Sequence, residues 1–178
     1  MNLQNELLSV IKDVPDFPKK GVIFKDINPL FKDPQLMKKV TAHMAEFAKL
    51  TNIQHIVGIE SRGFFFGMPL ALELNLPFIA ARKKGKLPGE VVSESYALEY
   101  GTDSIEIQKN SLLKGERYLI VDDIIATGGT ANAAAKIIQN SGAIVSGFTF
   151  LIELTFLNGC ETLLKTTPHV QIQSLIKV

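Results

Sequence analysis

Apolar positions along the chain follow two alternating rhythms. Leu3, Leu7, Leu8 and Ile11 are spaced as on one face of a helix, which Pro15 and Pro18 then end. The stripe returns with Leu36, Val40, Met44 and Phe47, with Asp33 placed to cap a helix that has Pro34 at its first position. Between such stretches stand short unbroken apolar runs, HIVGI, PFIAA, RYLIV and AIVSGFTFLIEL, which predict buried strands. Helices predicted over 63–74 and 130–140 separate them, with Gly142 placed to end the second. This alternation predicts an α/β fold, a mainly parallel twisted sheet flanked by helices on both faces.

Two segments escape the rhythm. DVPDFPKKGVIFKDINPLFKDP is full of breakers yet carries Phe17, Val22, Ile23, Phe24, Ile27 and Phe31, as expected of a small N-terminal hood over about 1–33. RKKGKLPGEVVSESYALEYGTD is long and polar, and Ser104–Gln108 then alternates Ile105 and Ile107 with Glu106 and Gln108. It predicts an excursion from the sheet, part hairpin and part mobile loop, over about 84–103.

Composition narrows the function classes. A chain of 178 residues with 46 % apolar and 21 % charged content is expected to form one globular domain spanning 1–178. A net charge of +1 leaves no footprint for a nucleic-acid partner. No run approaches the ~18 apolar residues of a membrane span, and the first residues lack the basic and apolar regions of an export signal. A cytoplasmic protein with neither nucleic-acid nor membrane partner is expected. Cys160, the only cysteine, can form no internal disulfide and reads as an idle thiol. His43, His55 and His169 lack metal-ligand spacing and read as helix-surface or strand-end residues.

The chemistry concentrates in VDDIIATGGT. Asp122 and Asp123 follow the run YLIV and so fall at the carboxyl end of a parallel strand, where open α/β sheets bind ligands. Thr127, Gly128, Gly129 and Thr130 then open a helix, whose free N–H groups and dipole favour an anion. Glycine there lets a phosphate approach the backbone. The turn lacks the lysine of a Walker loop and the spacing of a dinucleotide fingerprint. Carboxylates repel a phosphate, so the acids must meet another part of the same ligand: vicinal sugar hydroxyls or a divalent cation carried with it. A ribose bearing a terminal phosphate satisfies both halves.

VDDIIATGGT resembles the phosphoribosyl pyrophosphate (PRPP) signature of type I phosphoribosyltransferases. FPKKGVIFKDINPLFKDP, GIESRGFFFG, RKKGKLPG and LEYGTDSIEIQ are similar, in the same order, to segments of the adenine phosphoribosyltransferases, and the similarity runs from about Phe17 to about Glu153. It implies the family's fold with its hood, and transfer of ribose phosphate from PRPP to adenine to give AMP and pyrophosphate. It also implies a homodimer, and Mg2+ held mainly by PRPP, with Asp122 or Asp123 in reach through water. Matched position by position, the ribose and phosphate fall to Asp122, Asp123, Ala126, Thr127, Gly128, Gly129 and Thr130. Pyrophosphate falls to Glu60, Ser61, Arg62 and Gly63, with a cis peptide at Glu60-Ser61, and to Arg82, Lys83 and Lys86. Glu99 matches the loop acid that would donate a proton to the base, with Tyr100 beside it and Arg62 completing the catalytic set. Ile23, Phe24 and Lys25 match the adenine site, Lys25 standing where arginine is common.

Without the resemblance, Glu99 is an exposed loop carboxylate, the basic run is a solvated loop, and Ile23 and Phe24 are hood core. Two other functions compete: transfer to an oxopurine such as xanthine, and a PRPP sensor that has lost catalysis. The lack of a basic base pocket weighs against the first. The lack of a nucleic-acid module weighs against the second.

Overall fold

The computed structural model describes residues 2–97 and 101–178, which fall into two compact units, Met1–His43 and Met44–Val178. In the first, helix α1 (Leu3–Val10) starts at Asn2, whose side chain accepts from Asn5 N at 2.9 Å. Leu7 of the predicted stripe is wholly buried, whereas Leu8 is exposed. Strands β1 (Lys12–Pro15) and β2 (Ile23–Asp26) form an antiparallel pair that the breakers had hidden. A short helix α2 (Asn28–Phe31) follows and contacts α1. Helix α3 (Pro34–Leu50) begins in this unit with the predicted cap, Asp33 Oδ1 accepting from Gln35 N and Leu36 N, both at 3.0 Å.

The second unit is built on a seven-stranded sheet in the order β5-β6-β4-β3-β7-β8-β9. Five strands are parallel: β3 (His55–Ile59), β4 (Phe78–Lys83), β7 (Arg117–Ile125), β8 (Ile144–Glu153) and β9 (Gln171–Lys177). The predicted hairpin is β5 (Val91–Ala97) with β6 (Thr102–Gln108). It is no excursion, because β6 pairs antiparallel with β4 and extends the main sheet. Glu106 therefore does not face water but is buried, accepting from Gly85 N at 2.9 Å.

Helix α4 (Phe64–Leu74) packs on β3 and β7, and α5 (Gly129–Asn140) on β5, β6 and β7. Strand alternation sends Tyr118 and Ile120 into the cluster with α5 and Leu119 and Val121 to the other face. All four are wholly buried, so both faces of β7 are covered. Helix α6 (Gly159–Thr166) precedes β9. At the amino end of β3, His55 is buried, bonded to Glu116 and stacked on Tyr118 at 4.5 Å, a strand-end role as expected. Burial, then the Glu153 carboxylate, push the Cys160 thiol up to about 11, as befits an idle side chain.

Candidate active site

Strands β4, β3 and β7 carry the residues predicted for pyrophosphate and ribose at their carboxyl ends. The β3–β4 pairing ends with Ile59 opposite Ala81, and the β3–β7 pairing with Gly58 opposite Val121. Just past these pairs come Glu60–Gly63, Arg82–Lys86 and Asp122–Asp123.

Strand β7 does not stop at the acids. Strand β8 keeps pairing with it, Asp122 opposite Phe150 and Ile124 opposite Ile152, so β7 runs on to Ile125. The acids thus sit on a fixed strand whose β3 flank has fallen away. Successive side chains of a strand leave opposite faces, and Asp123 turns to Arg62, whose Nη2 lies 2.9 Å from Oδ2. Asp123 N donates to Asp122 Oδ1 at 2.9 Å. Burial raises Asp122 well above the ordinary carboxylate range, and the neighbouring Asp123 charge pushes it the same way. Burial also raises Asp123, against the pull of the Arg62 guanidinium. Carboxylates raised in this way are stabilised by any hydrogen-bond donor that reaches them.

Glycine fixes both neighbouring loops. Gly128, with φ of 82°, caps α5, and a Cβ there would meet Gly159 O at 2.7 Å. The protein's own backbone packing requires this glycine as well as any phosphate approach. No acid occupies the first turn of α5, leaving its N–H groups and dipole open to an anion. Ala126, Gly129 and Thr130 are half-buried beside it and Thr127 is exposed. Gly63 caps α4, and a Cβ there would meet Ile59 O at 2.6 Å and Val121 O at 2.7 Å. The loop is thereby pressed onto the ends of β3 and β7, which sets Arg62 beside Asp123. The Glu60-Ser61 peptide is cis, as the resemblance implies, and Ser61 is exposed.

Glu60 turns toward β4. Its carboxylate accepts from Arg82 Nε and Nη2, both at 3.2 Å, and from Lys83 N at 2.9 Å. Burial pushes Glu60 up, but these bonds outweigh it and hold the acid below its ordinary value. Arg82 Nη1 donates to Lys86 O at 3.1 Å. Three of the five guanidinium N–H groups are thus committed within the protein, and two remain for an anion. Lys83 reaches Asp103 Oδ2 at 3.2 Å, a bond that raises its pKa, while Lys86 is exposed in the following turn.

Glu99 and Tyr100 lie outside the described residues. Ile23, Phe24 and Lys25 share β2 in the Met1–His43 unit. Ile23 is 57 % exposed and so is not a core residue, and Phe24 meets Phe17 edge-on at 5.1 Å. Lys25 Nζ lies 2.6 Å from Asp13, its register partner on β1. Among the described residues no group of three or more His, Cys, Asp or Glu could hold a metal ion. Asp122 and Asp123 offer the hard oxygens that magnesium prefers but no cage, so a cation fits only with most of its oxygens coming from ligand and water. Tyr96 and Asp103, which face each other across the β5–β6 ladder, were not singled out from sequence. Their only signal was the alternation of SESY and DSIE on either side of the loop.

Residues 28–175 match the phosphoribosyl transferase domain family. The adenine phosphoribosyltransferase of Ureaplasma parvum serovar 3 is 51 % identical over 155 residues, which is 87 % of this chain and 90 % of that one. The crystal structure of adenine phosphoribosyltransferase from Thermoanaerobacter pseudethanolicus superposes with a TM-score of 0.92 at 46 % identity, covering 99 % of this chain and 100 % of that one. That of the Saccharomyces cerevisiae enzyme, complexed with an imino-altritol bisphosphate and adenine, gives 0.87 at 40 % identity, covering 97 % and 98 %.

Proposed function

The chain belongs to the phosphoribosyl transferase family, and we propose that it is an adenine phosphoribosyltransferase, which transfers ribose 5-phosphate from PRPP to adenine and releases AMP and pyrophosphate in purine salvage. One observation carries the reading: a half-buried and a buried acid, Asp122 and Asp123, on the open flank of β7 lead straight into a turn and helix start that hold no acid of their own.

The residue roles follow from the chemistry. The turn from Ala126 to Thr130 grips the 5′-phosphate with main-chain N–H groups, and Asp122 and Asp123 accept from the ribose hydroxyls. As the bond from the sugar to pyrophosphate breaks, negative charge grows on the departing oxygens and positive charge on the sugar. Donors fixed in advance where charge develops give the largest rate benefit. Arg62, Lys86, the two uncommitted N–H groups of Arg82 and the main chain of Ser61–Gly63 meet the leaving group. Glu60 holds Arg82 in place, and Lys83 adds positive charge from the same strand end. Adenine loses one ring proton on becoming AMP, so Glu99 accepts it from the ring nitrogen beside the one that attacks, the reverse of the donation the resemblance suggested, with Tyr100 as its neighbour. Ile23, Phe24 and Lys25 serve the base, Phe24 by stacking and the other two through the main chain. When bound, Mg2+ neutralises charge on the pyrophosphate, with Asp122 or Asp123 reaching it through water.

A homodimer belongs to this reading. Helix α4 is apolar nearly all round, which is unusual for a helix with a free side. Phe65, Met68 and Leu72 are 51 %, 44 % and 76 % exposed along it, a face suited to a second copy. No helix among the described residues is long and apolar enough to cross a membrane, and a cytoplasmic site of action is proposed with it.

The test is formation of AMP from adenine, PRPP and magnesium, with guanine, hypoxanthine and xanthine in parallel. Turnover of an oxopurine at the rate of adenine refutes the assignment of the base. PRPP binding with no turnover of any base leaves a sensor.

A further inference from the structure

The pairing of β7 with β8 ends at Ile125 opposite Glu153, and both chains then leave the sheet. One enters the turn that opens α5. The other passes through Asn158, left-handed with φ of 54°, to Gly159 at the start of α6. Here the two meet main chain to main chain. A Cβ on Gly159 would collide with Ala126 O and meet Ile125 Cγ1 at 2.7 Å, just as a Cβ on Gly128 would meet Gly159 O at 2.7 Å. Both glycines are buried.

The turn has little of its own to hold it in place. Ala126, Gly128 and Gly129 carry almost no side chain, and Thr127 is exposed. Gly128 O accepts from Asn132 N at 2.9 Å, which fixes the end that joins α5 but not the end that leaves β7. A phosphate gripped by main-chain N–H groups needs those groups set in advance, because such bonds weaken steeply as their geometry degrades. Helix α6 supplies the fixed surface. Leu163 is wholly buried in the cluster with α5, Thr166 Oγ1 donates to Asn132 Oδ1 at 2.5 Å, and Gln139 Nε2 donates to Thr167 Oγ1 at 3.4 Å. The helix is thus clamped along α5 with its first residue against the turn. We infer that Gly159 is a positioning residue for the phosphate turn: its main chain is the wall on which Ala126 to Gly128 are seated. Any side chain there displaces the Ala126 carbonyl, and with it the N–H groups that meet the 5′-phosphate. This inference rests on the reading of the turn as the phosphate site.

The test uses Gly159→Ala in the full chain, with calorimetry of ribose 5-phosphate and, separately, of pyrophosphate. Ribose 5-phosphate is expected to bind about tenfold more weakly or worse, the loss of one hydrogen bond to a charged group, and the KM for PRPP to rise with it. Pyrophosphate affinity stays within about twofold, a split that general loosening of the fold does not produce. Wild-type affinity for ribose 5-phosphate, or an equal loss for pyrophosphate, overturns the inference. Should Gly159→Ala fail to fold, Thr166→Val decides, since it cuts the tie of α6 to α5 and adds no atom at the turn. It is expected to weaken ribose 5-phosphate by about threefold and to spare pyrophosphate. Unchanged ribose 5-phosphate binding in that variant overturns the inference, as does an equal loss for both ligands. Wild-type protein that binds no ribose 5-phosphate overturns the phosphate reading itself, and this inference falls with it.

Discussion

Arg62 Nη2 lies 2.9 Å from the buried Oδ2 of Asp123, joining the loop after β3 to the acidic end of β7. One contact thus ties the proposed pyrophosphate side of the site to its ribose side. Arg62→Ala is expected to lower kcat/KM by about 10²–10³, the range for losing one fixed charged donor. Arg62→Lys restores a charge but not the planar fork and recovers only part. Steady-state kinetics of the two variants check this, and an Arg62→Ala enzyme of wild-type rate removes the residue from the mechanism.

The acid pair should cost stability in the empty protein. Asp122 has its folded pKa raised above the unfolded value, so the folded state binds the extra proton and stability falls as pH rises through that window. Asp122→Asn should therefore raise Tm at pH 7 by about 3 °C, an advantage that shrinks as pH falls toward the ordinary carboxylate range. The same variant should lose PRPP affinity, read by calorimetry. A lower Tm at pH 7, or unchanged PRPP binding, contradicts the role given to Asp122.

Gly128→Ala combines a positive φ with a Cβ 2.7 Å from Gly159 O. Two backbone segments must separate to admit it, and a loss of about 1–3 kcal/mol is expected in urea unfolding. The loss should persist without any ligand, since the obstacle lies within the chain.

Glu99→Gln is expected to cut kcat by about 10²–10⁴ and to leave PRPP affinity within about twofold. Pre-steady-state measurement of AMP formation separates the chemical step from product release. An unchanged chemical step excludes proton transfer by Glu99.

The Lys25–Asp13 pair is half in solvent, with Asp13 54 % exposed, and pairs of this kind are worth about 0.2–1 kcal/mol. Lys25→Ala should raise the KM for adenine by less than about fivefold and leave the choice of base unchanged. A switch in base preference on that substitution shows that the side chain, and not the main chain, reads the ring.

The central strands, α5 and the turn before it were legible because buried parallel strands are unbroken apolar runs and the turn is a compact string of special residues. Less was legible where the signal depends on partners distant in sequence. β9, QIQSLIK, alternates polar and apolar residues at a sheet edge and lacks such a run, and β1–β2 hid among prolines. The run YLIV placed the acids correctly but ended the strand too early, since only pairing with β8 carries β7 on to Ile125. Glu106 alternates with Ile105 and Ile107, yet it too is buried and accepts from the Gly85 amide. Pairing of Glu60 with Arg82, and of Asp103 with Lys83, joins segments whose proximity no local pattern encodes.

Cys160 has a use outside catalysis. A thiol held at about 11 is ionised in only about one molecule in ten thousand at pH 7, and alkylating reagents attack the thiolate. A second cysteine introduced at an exposed site would therefore be labelled almost alone. The chain accordingly offers a quiet background for a single fluorescent or spin probe, with no native sulfhydryl to be removed first.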